Sequence, residues 1–366
     1  MDTFGKLFRI TTYGRSHGPE IGVRIDGCPS GLEISLDEIQ YELNRRKPGQ
    51  NLVTSQRREE DKVEILSGII NKKTTGEPIE LKILNKDIDL SGYKELEYKP
   101  RPGHADFTWY KKYDDWYAFD RTGGRETACR VMVGAVAKKL LRKYDIDIFA
   151  HSLEIAGIRT NKSYYEDFEL TKIEKYKRDI ESNPVRCIDM EVAEEMKNAI
   201  LKAKEDGDSV GGVVEVIATG VPVGLGEPNY NKLSAALYFG FGSIPAVTGI
   251  QIGLYNRIRM RGSESNDEFY IEDREVRTRT NYCGGILGGI SNSMPIVVSI
   301  GFKPTSSISK KQRTVDLEKM EEVTIEIKGR HDPCIVPRAI PVVEAMMSLT
   351  LADQMLLSGY IPRKSL

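Results

Sequence analysis

The sequence has few cysteines and lacks metal-binding spacings. Its five cysteines are odd in number, and no two of them form a C-x-x-C pair. This usage is typical of a reducing compartment and argues against a disulfide framework or a zinc knuckle. The H-E-x-x-H and EF-hand patterns are also missing, so we expect no catalytic metal.

Targeting segments and a strong charge of one sign are missing as well. The chain opens with the letters MDTFGK, and no apolar run approaches the length of a membrane span. We therefore expect a cytoplasmic protein that binds no membrane. The 53 basic and 54 acidic residues give a net charge of -1, which argues against a nucleic-acid-binding protein.

Periodicity predicts both strands and helices along the 366 residues. Alternating apolar residues predict strands at 21–25, 213–218, 250–252, 296–302 and 323–327. Helical spacing predicts helices from a Ser35/Glu38 capping box to Arg46, at about 126–143, from 191 to about 207, and from near Pro341 to Leu357.

Two pairs of segments match each other in the same order. Residues 27–32 resemble 220–225, and residues 65–71 resemble 286–292. We interpret this as two related β-rich halves, about 1–145 and 205–366, fused in one domain of residues 1–366. Chance similarity between turns is the alternative, because glycine and proline recur in turns for local reasons.

Three of the four histidines lie in Gly- and Pro-containing turns beside an arginine. The turns are Gly14–Pro19 around His17, Arg101–Asp106 around His104, and Gly329–Cys334 around His331. Imidazole exchanges protons near neutral pH, and guanidinium binds phosphate or carboxylate in a bidentate manner. Together the turns predict one site that binds an anion and moves protons, whereas three unrelated surface turns are the alternative.

Further anion-binding residues are expected in other loops. Arg46 and Arg57 flank a Pro-Gly turn, and the 121–125 glycine turn precedes a helix whose N-terminus favours an anion. A plain helix cap is the alternative for this turn, which is neither a Walker loop nor a dinucleotide fingerprint. The 284–289 glycine segment and the 303–307 hydroxyl-rich turn offer backbone and hydroxyl donors to a flat ligand.

These segments together resemble the chorismate synthase family from Phe4 to about Leu357. The resemblance is carried by Ser16–Gly18, Arg101–Asp106, Arg125–Arg130, Gly284–Gly289, Lys303–Ser307 and Gly329–Cys334. It implies an α+β fold, a β-α-β sandwich with an internal pseudo-two-fold repeat, assembled as a homotetramer. It also implies a lyase that converts 5-enolpyruvylshikimate 3-phosphate to chorismate and phosphate with reduced FMN. An external flavin reductase is expected, since no reductase domain is evident, although the sequence does not decide whether the protein uses NADPH itself.

The resemblance also implies roles for individual residues. Its catalytic residues correspond to His17, His104 and Asp332, with Asp353 the alternative to Asp332. Its substrate-binding arginines correspond to Arg46, Arg57, Arg101, Arg125 and Arg330. Its FMN shell corresponds to Arg121, Thr122, Gly123, Pro245, Ala246, Gly288, Lys303, Pro304, Thr305, Ser306, Ser307 and Arg330.

Three positions depart from the family pattern. Arg15 stands where many members have Glu, Leu52 stands near the place of an arginine, and Gly123 replaces a serine. A flavoprotein of the same fold with altered activity is therefore a second hypothesis. A non-catalytic binder of a phosphorylated metabolite or of nucleic acid is a third, which the near-neutral charge and the histidine turns disfavour.

Overall fold

The computed structural model describes residues 2–55, 59–86, 96–121, 123–327, 329 and 331–366. These residues form a mixed α+β fold, as the sequence predicts. The α-helices in this part of the chain are α1 (Leu36–Arg46), α2 (Asp106–Tyr113), α3 (Thr127–Arg142), α4 (Ile173–Ser182), α5 (Met190–Glu205), α6 (Leu233–Gly242), α7 (Gly262–Ser265) and α8 (Val336–Leu357). Short 3-10 helices span Trp116–Arg121, Leu170–Lys172 and Tyr255–Arg259.

The first half of the chain forms a five-stranded antiparallel sheet in the order β1-β2-β3-β7-β4. Its strands are β1 (Thr3–Phe4), β2 (Arg9–Gly14), β3 (Glu20–Asp26), β4 (Val63–Ser67) and β7 (Ile79–Leu84). A small hairpin of β5 (Ile69–Ile70) and β6 (Lys73–Thr74) lies between β4 and β7 in sequence.

Strands between residues 147 and 302 form another five-stranded antiparallel sheet, in the order β11-β16-β10-β8-β9. Its strands are β8 (Asp147–Ile155), β9 (Ile158–Arg159), β10 (Gly212–Thr219), β11 (Val247–Ile252) and β16 (Ile296–Phe302). Three further hairpins are formed by β12 (Phe269–Glu272) with β13 (Glu275–Thr278), β14 (Ile286–Leu287) with β15 (Ile290–Ser291), and β17 (Gln312–Asp316) with β18 (Glu321–Ile325).

The core lies where helices contact both sheets. Helix α3 packs against β3 of the first sheet, against β8 of the second and along α8, while α8 packs on β8 and β10. Helix α8 is long and apolar enough to span a membrane, but 94% of its apolar stretch is buried in the protein. It is therefore a core helix, which explains why most of its side chains are apolar.

The predicted start of the last helix is wrong by about one turn. Helix α8 begins at Val336, so that Pro337 occupies its first turn and Pro341 lies inside the helix. A proline at position 341 cannot donate to the carbonyl group of residue 337. Arg186 donates to that carbonyl from Nη1 at 2.6 Å instead, which explains how the helix continues through Pro341.

In the first half, a hydroxyl group joins the turn after β3 to β6. Thr74 Oγ1 accepts from the Leu32 N–H at 3.0 Å and donates to the Pro29 carbonyl at 2.6 Å. The backbone of Thr74 also pairs with the backbone of Gly31 and Leu32. The turn and the β5-β6 hairpin are thus held as one unit.

In the second half, Ser291 makes the same set of contacts with the turn after β10. Ser291 Oγ accepts from the Leu225 N–H at 2.8 Å and donates to the Pro222 carbonyl at 2.6 Å. Its backbone pairs with that of Gly224 and Leu225. Ser291 therefore occupies the position in its hairpin that Thr74 occupies in the first half.

Candidate active site

A cavity of about 670 Å³ lies between the predicted histidine turns. The predicted residues that line it are His17, Arg46, Arg101, His104, Gly123, Arg125, Pro245, Ala246, Lys303, Pro304, Thr305, Ser306 and Asp332. Segments from the beginning, middle and end of the chain thus meet at one place, rather than at three unrelated surface turns. Its size is within the usual range for small-molecule sites.

The His104 turn is held by a salt bridge within it. Arg101 donates to Asp106 in a bidentate manner, from Nε to Oδ2 at 2.8 Å and from Nη2 to Oδ1 at 2.7 Å. His104 Nδ1 lies 2.7 Å from the same Asp106 Oδ1, and Arg101 Nη1 donates to Ser307 Oγ at 3.1 Å. Ser307 thus supports the turn from behind, while His104 remains 29% exposed in its side chain.

The charges around His104 disfavour its protonated form. Burial lowers the pKa of His104, and the positive charges of Arg101 and Lys303 lower it further, although Asp106 opposes them. Lys303 lies close because Nζ donates to the carbonyl of Gly103 and to Ser306 Oγ at 3.0 Å. The 303–307 loop therefore holds the histidine turn in place, and its Lys303 lowers the pKa of His104.

His17 is paired with a carboxylate that the sequence did not single out. Asp120 Oδ1 lies 2.5 Å from His17 Nδ1, and Asp120 Oδ2 accepts the His17 backbone N–H at 3.0 Å. Asp120 lies near the end of the 3-10 helix Trp116–Arg121, directly before the predicted glycine turn. Each of the two histidines in the cavity thus has an aspartate at Nδ1.

A cluster of buried guanidinium groups forms another part of the wall. Arg46 donates from Nε to Thr127 Oγ1 at 3.1 Å and from Nη2 to the Gly124 carbonyl. Arg125 donates to Asp61 from Nη1, whereas its buried Nη2 has no hydrogen-bond partner among the described residues. Burial and the nearby Arg338 and Arg125 lower the pKa of Arg46 to about 9, as expected where cations are crowded together.

Arg338 is a further cation in the cavity that the sequence analysis missed. It lies in the first turn of α8 and donates from Nη1 to Asp332 Oδ2. The other oxygen of Asp332 accepts the Ser55 backbone N–H at 2.6 Å. Both oxygens of the predicted catalytic carboxylate are therefore held. Arg338 lies outside the glycine-containing turns that the sequence analysis singled out, and it precedes the predicted start of the last helix near Pro341.

The remaining wall is apolar and aromatic. Its side chains come from α2, the 3-10 helix, the segment leading into β11 with the first residue of that strand, the end of β16, and α8 with the residue before it. They are Trp109, Phe119, Ile244, Val247, Phe302, Ile335, Ala339 and Val342. A cavity with one cationic side and one apolar side suits a flat aromatic ligand next to an anion.

Other predicted residues lie away from the cavity. Arg121 pairs with Asp2 at 3.0 Å in a neighbouring pocket, and Gly288 lies in the β14-β15 turn with open space around it. The Asp353 carboxylate accepts the backbone N–H groups of residues 6–8. Asp353, the alternative to Asp332 as catalytic residue, therefore holds the segment between β1 and β2. Arg57, Thr122 and Arg330 lie outside the described residues.

His331 lies beside the His104 turn and does not line the cavity. Burial lowers the pKa of His331, and the positive charge of Arg101 lowers it further. Its Nε2 is buried and has no hydrogen-bond partner within the described ranges. His331 thus contributes to the surroundings of the cavity without facing it.

The three departures from the family pattern have different surroundings. Arg15 lies 3.9 Å from Asp115, and Leu52 is 71% exposed. A side chain at Gly123 would meet Ser16 Oγ at 3.0 Å, so glycine leaves room beside the His17 turn. Of the three, Gly123 is therefore the one that shapes the cavity directly.

Comparison with known proteins gives one consistent family. The family model described as chorismate synthase matches residues 8–356. Chorismate synthases from Methanocella arvoryzae and Archaeoglobus fulgidus are each 50% identical, over 98% and 100% of this chain and 95% and 100% of their own lengths. A crystal structure of chorismate synthase superposes with a TM-score of 0.79 at 32% identity, covering 97% of this chain and 93% of that one.

Proposed function

Because this chain belongs to the chorismate synthase family and has its activity, the final step of the shikimate pathway, we propose that this cavity is its active site. The reaction is the 1,4-elimination of phosphate from 5-enolpyruvylshikimate 3-phosphate, which gives chorismate. The observation that supports the cavity is the meeting of His17, His104 and the guanidinium cluster around one space.

The guanidinium cluster is proposed to bind the substrate anions. The substrate carries one phosphate and two carboxylates, and burying such charges requires paired cations. Arg46 and Arg125 supply buried guanidiniums. Nη2 of Arg125 lies 3.9 Å from Glu59 and has no hydrogen-bond partner among the described residues, so it is a donor that an anion would satisfy. Arg101 is engaged by Asp106 and Ser307, so its proposed part in substrate binding is shared with holding the His104 turn. Arg57 and Arg330 remain predictions.

Reduced FMN is the proposed cofactor, and the cavity residues fit it. The apolar wall suits an isoalloxazine ring, and the buried Thr305 Oγ1, which has no described hydrogen-bond partner, is available to a polar ligand group. The proposed contacts come from Gly123, Pro245, Ala246 and the 303–307 loop, and Arg121, Thr122, Gly288 and Arg330 remain predicted members of the shell. When bound, reduced FMN supplies the electron chemistry of the elimination. A separate reductase is the proposed source of its electrons.

The protein's own groups are proposed to manage protons. His17 is assigned to the departing phosphate, where a donor stabilises the charge that develops. His104 is assigned to proton exchange with the cofactor, because it lines the cavity and its lowered pKa keeps the neutral, proton-accepting imidazole populated at neutral pH. Asp332, which accepts hydrogen bonds from Arg338 and from the Ser55 N–H, is also assigned to proton exchange with the cofactor.

We also infer that the chain is one domain made of two related halves, about 1–145 and 205–366. The equivalent hydrogen bonds of Thr74 and Ser291 support this repeat, as do the matching strand orders β4-β7-β3 and β11-β16-β10.

Assembly as a homotetramer in the cytoplasm completes the proposal. One face of the β12-β13 hairpin carries Phe269, Ile271 and Val276, which are 60–77% exposed and form an apolar patch of the kind that subunits cover. The five cysteines are unpaired and buried, which suits a reducing compartment.

The experiment that tests the function is an anaerobic assay with reduced FMN and 5-enolpyruvylshikimate 3-phosphate. We expect equimolar release of phosphate and chorismate. Flavin binding without turnover would instead support the hypothesis of a flavoprotein with altered activity, and the absence of both would contradict the proposal.

A further inference from the structure

The contact between Asp120 and His17 joins two segments that are 103 residues apart. Both oxygens of the Asp120 side chain contact this histidine, one at Nδ1 and one at the backbone N–H. The Asp120 carbonyl also accepts the Ser16 backbone N–H at 3.1 Å. The side chains of His17 and Asp120 are only 11% and 10% exposed, so water competes little for these contacts.

We infer that Asp120 is a positioning residue that holds His17 in the Nδ1–H tautomer. An ionised carboxylate only accepts hydrogen bonds, so the neutral imidazole must carry its proton on Nδ1 to satisfy Asp120. Nε2 is then the ring nitrogen that gains or loses a proton, and the ring cannot rotate without breaking the pair. The catalytic consequence rests on the proposed function, in which His17 serves the departing phosphate.

The second histidine of the cavity also has an aspartate at Nδ1, but Arg101 Nη2 lies 3.0 Å from the same nitrogen. His104 Nδ1 faces Asp106, which lies two residues away in the same turn. Asp106 also binds Arg101 through both oxygens, whereas both side-chain oxygens of Asp120 go to His17. The His17 pair therefore depends on one long-range carboxylate, and a single substitution at position 120 removes it.

A purely structural role for Asp120 would be to fix the 14–19 turn through the backbone N–H groups. Asp120→Asn separates the two roles because an asparagine oxygen still accepts the His17 N–H. Its amide group then faces Nδ1 as a donor and favours the Nε2–H tautomer instead. Asp114→Asn is the matched control, since Asp114 is exposed and has a left-handed φ of 52°, which asparagine tolerates.

The first readout is the tautomer of His17 in protein labelled with ¹⁵N-histidine and free of flavin and substrate. The His17 resonances are assigned by their absence from the spectrum of His17→Gln. The tautomer is determined at a pH where the imidazole is neutral. We expect Nδ1–H in the wild type and in Asp114→Asn, and a shift towards Nε2–H in Asp120→Asn. A wild-type His17 in the Nε2–H form would overturn the inference, whether or not any variant folds.

The second readout is the division of the effect between kcat and KM. We expect Asp120→Asn to lower kcat by about 10²- to 10⁴-fold with a small change in KM, and Asp114→Asn to behave as the wild type. Equal kcat values in the two variants would also overturn the inference. If the wild type itself makes no chorismate, the proposed function fails, but the tautomer of His17 is still measured.

Discussion

Arg338 donates to the Asp332 carboxylate through Nη1 and to the backbone carbonyl of Arg46 through Nε, the latter at 3.1 Å. One guanidinium thus connects the proposed proton-handling carboxylate with the end of helix α1, which carries a proposed substrate cation. Without Arg338, Asp332 Oδ2 would lose this hydrogen bond, and the carboxylate would lose the cation that it pairs with on α8.

Arg338→Met is expected to lower kcat by about 10- to 10²-fold, because small misplacements of catalytic groups have effects of this size. Methionine keeps the apolar part of the side chain in place. Arg363→Met, at an exposed position near the C-terminus, is the control for the lost charge. Steady-state kinetics under anaerobic conditions check this, and equal kcat values for the two variants would contradict it.

His104→Ala is expected to lower turnover by about 10²- to 10⁴-fold, the scale usual for a proton-transfer group. The Arg101–Asp106 salt bridge within the turn should keep the local backbone in place, since it does not need the imidazole. Circular dichroism checks the fold and the anaerobic assay checks the rate. Unchanged turnover would remove His104 from the reaction.

Lys303→Met is expected to raise the pKa of His104. Burial is the main reason for its low value, but the positive charge of Lys303 also disfavours the imidazolium ion. Removal of that charge stabilises the protonated form, so His104 stays charged to a higher pH than in the wild type. NMR titration of the labelled histidine measures this, with Lys310→Met, an exposed lysine paired with Asp208, as the control. A lowered or unchanged pKa would contradict the proposed electrostatics.

Glu344→Gln is expected to reduce the free energy of unfolding by roughly 3–5 kcal/mol at pH 7. Glu344 is 2% exposed and accepts from Arg45 and Lys138 through Oε2 at 2.5 Å. Burial alone would raise its pKa, but Arg45 and Lys138 bring the pKa of Glu344 well below its usual value.

The pH dependence of this effect has a definite sign. Because the folded-state pKa of Glu344 is lowered, its stabilisation is present above the unfolded value of about 4.3 and disappears as pH falls through the folded value. Urea unfolding at several pH values measures the difference between wild type and variant. Glu181→Gln, at a side chain that is 31% exposed, is the control and should cost less than about 1 kcal/mol.

Local patterns predicted much of the fold. The Ser35/Glu38 capping box occurs as expected, and the strand predicted at 296–302 has the same bounds in β16. The start of α8 was wrong because a proline normally marks a first turn, and only the distant Arg186 explains how Pro341 is accommodated inside the helix. Such a contact leaves no trace in local periodicity.

The register of the predicted internal match differs from that of the equivalent contacts in the structure. The sequence match aligned residues 65–71 with 286–292, whereas the contacts of Thr74 and Ser291 align 69–74 with 286–291. Short apolar segments with glycines align almost equally well at several offsets. Hydrogen bonds between distant turns decide the register, and the sequence does not display them.

The cavity was predicted through its turns, and its missed residues lie elsewhere. His17, His104 and Lys303 lie in loops with glycine or proline, whose composition indicates unusual backbone. Asp120 and Arg338 lie in helical segments, where a charged residue is ordinarily a solvated one. Only the packing of α8 and the 3-10 helix against the turns gives these two side chains their partners.

A crystal structure with oxidised FMN and 5-enolpyruvylshikimate 3-phosphate bound tests most directly whether this cavity is the active site. We predict the substrate phosphate and carboxylates at the guanidiniums of Arg46 and Arg125, with the flavin ring between them and the 303–307 loop. His17 and His104 should both contact the bound molecules. Density for substrate and flavin at another place, with this cavity empty, would contradict the proposal.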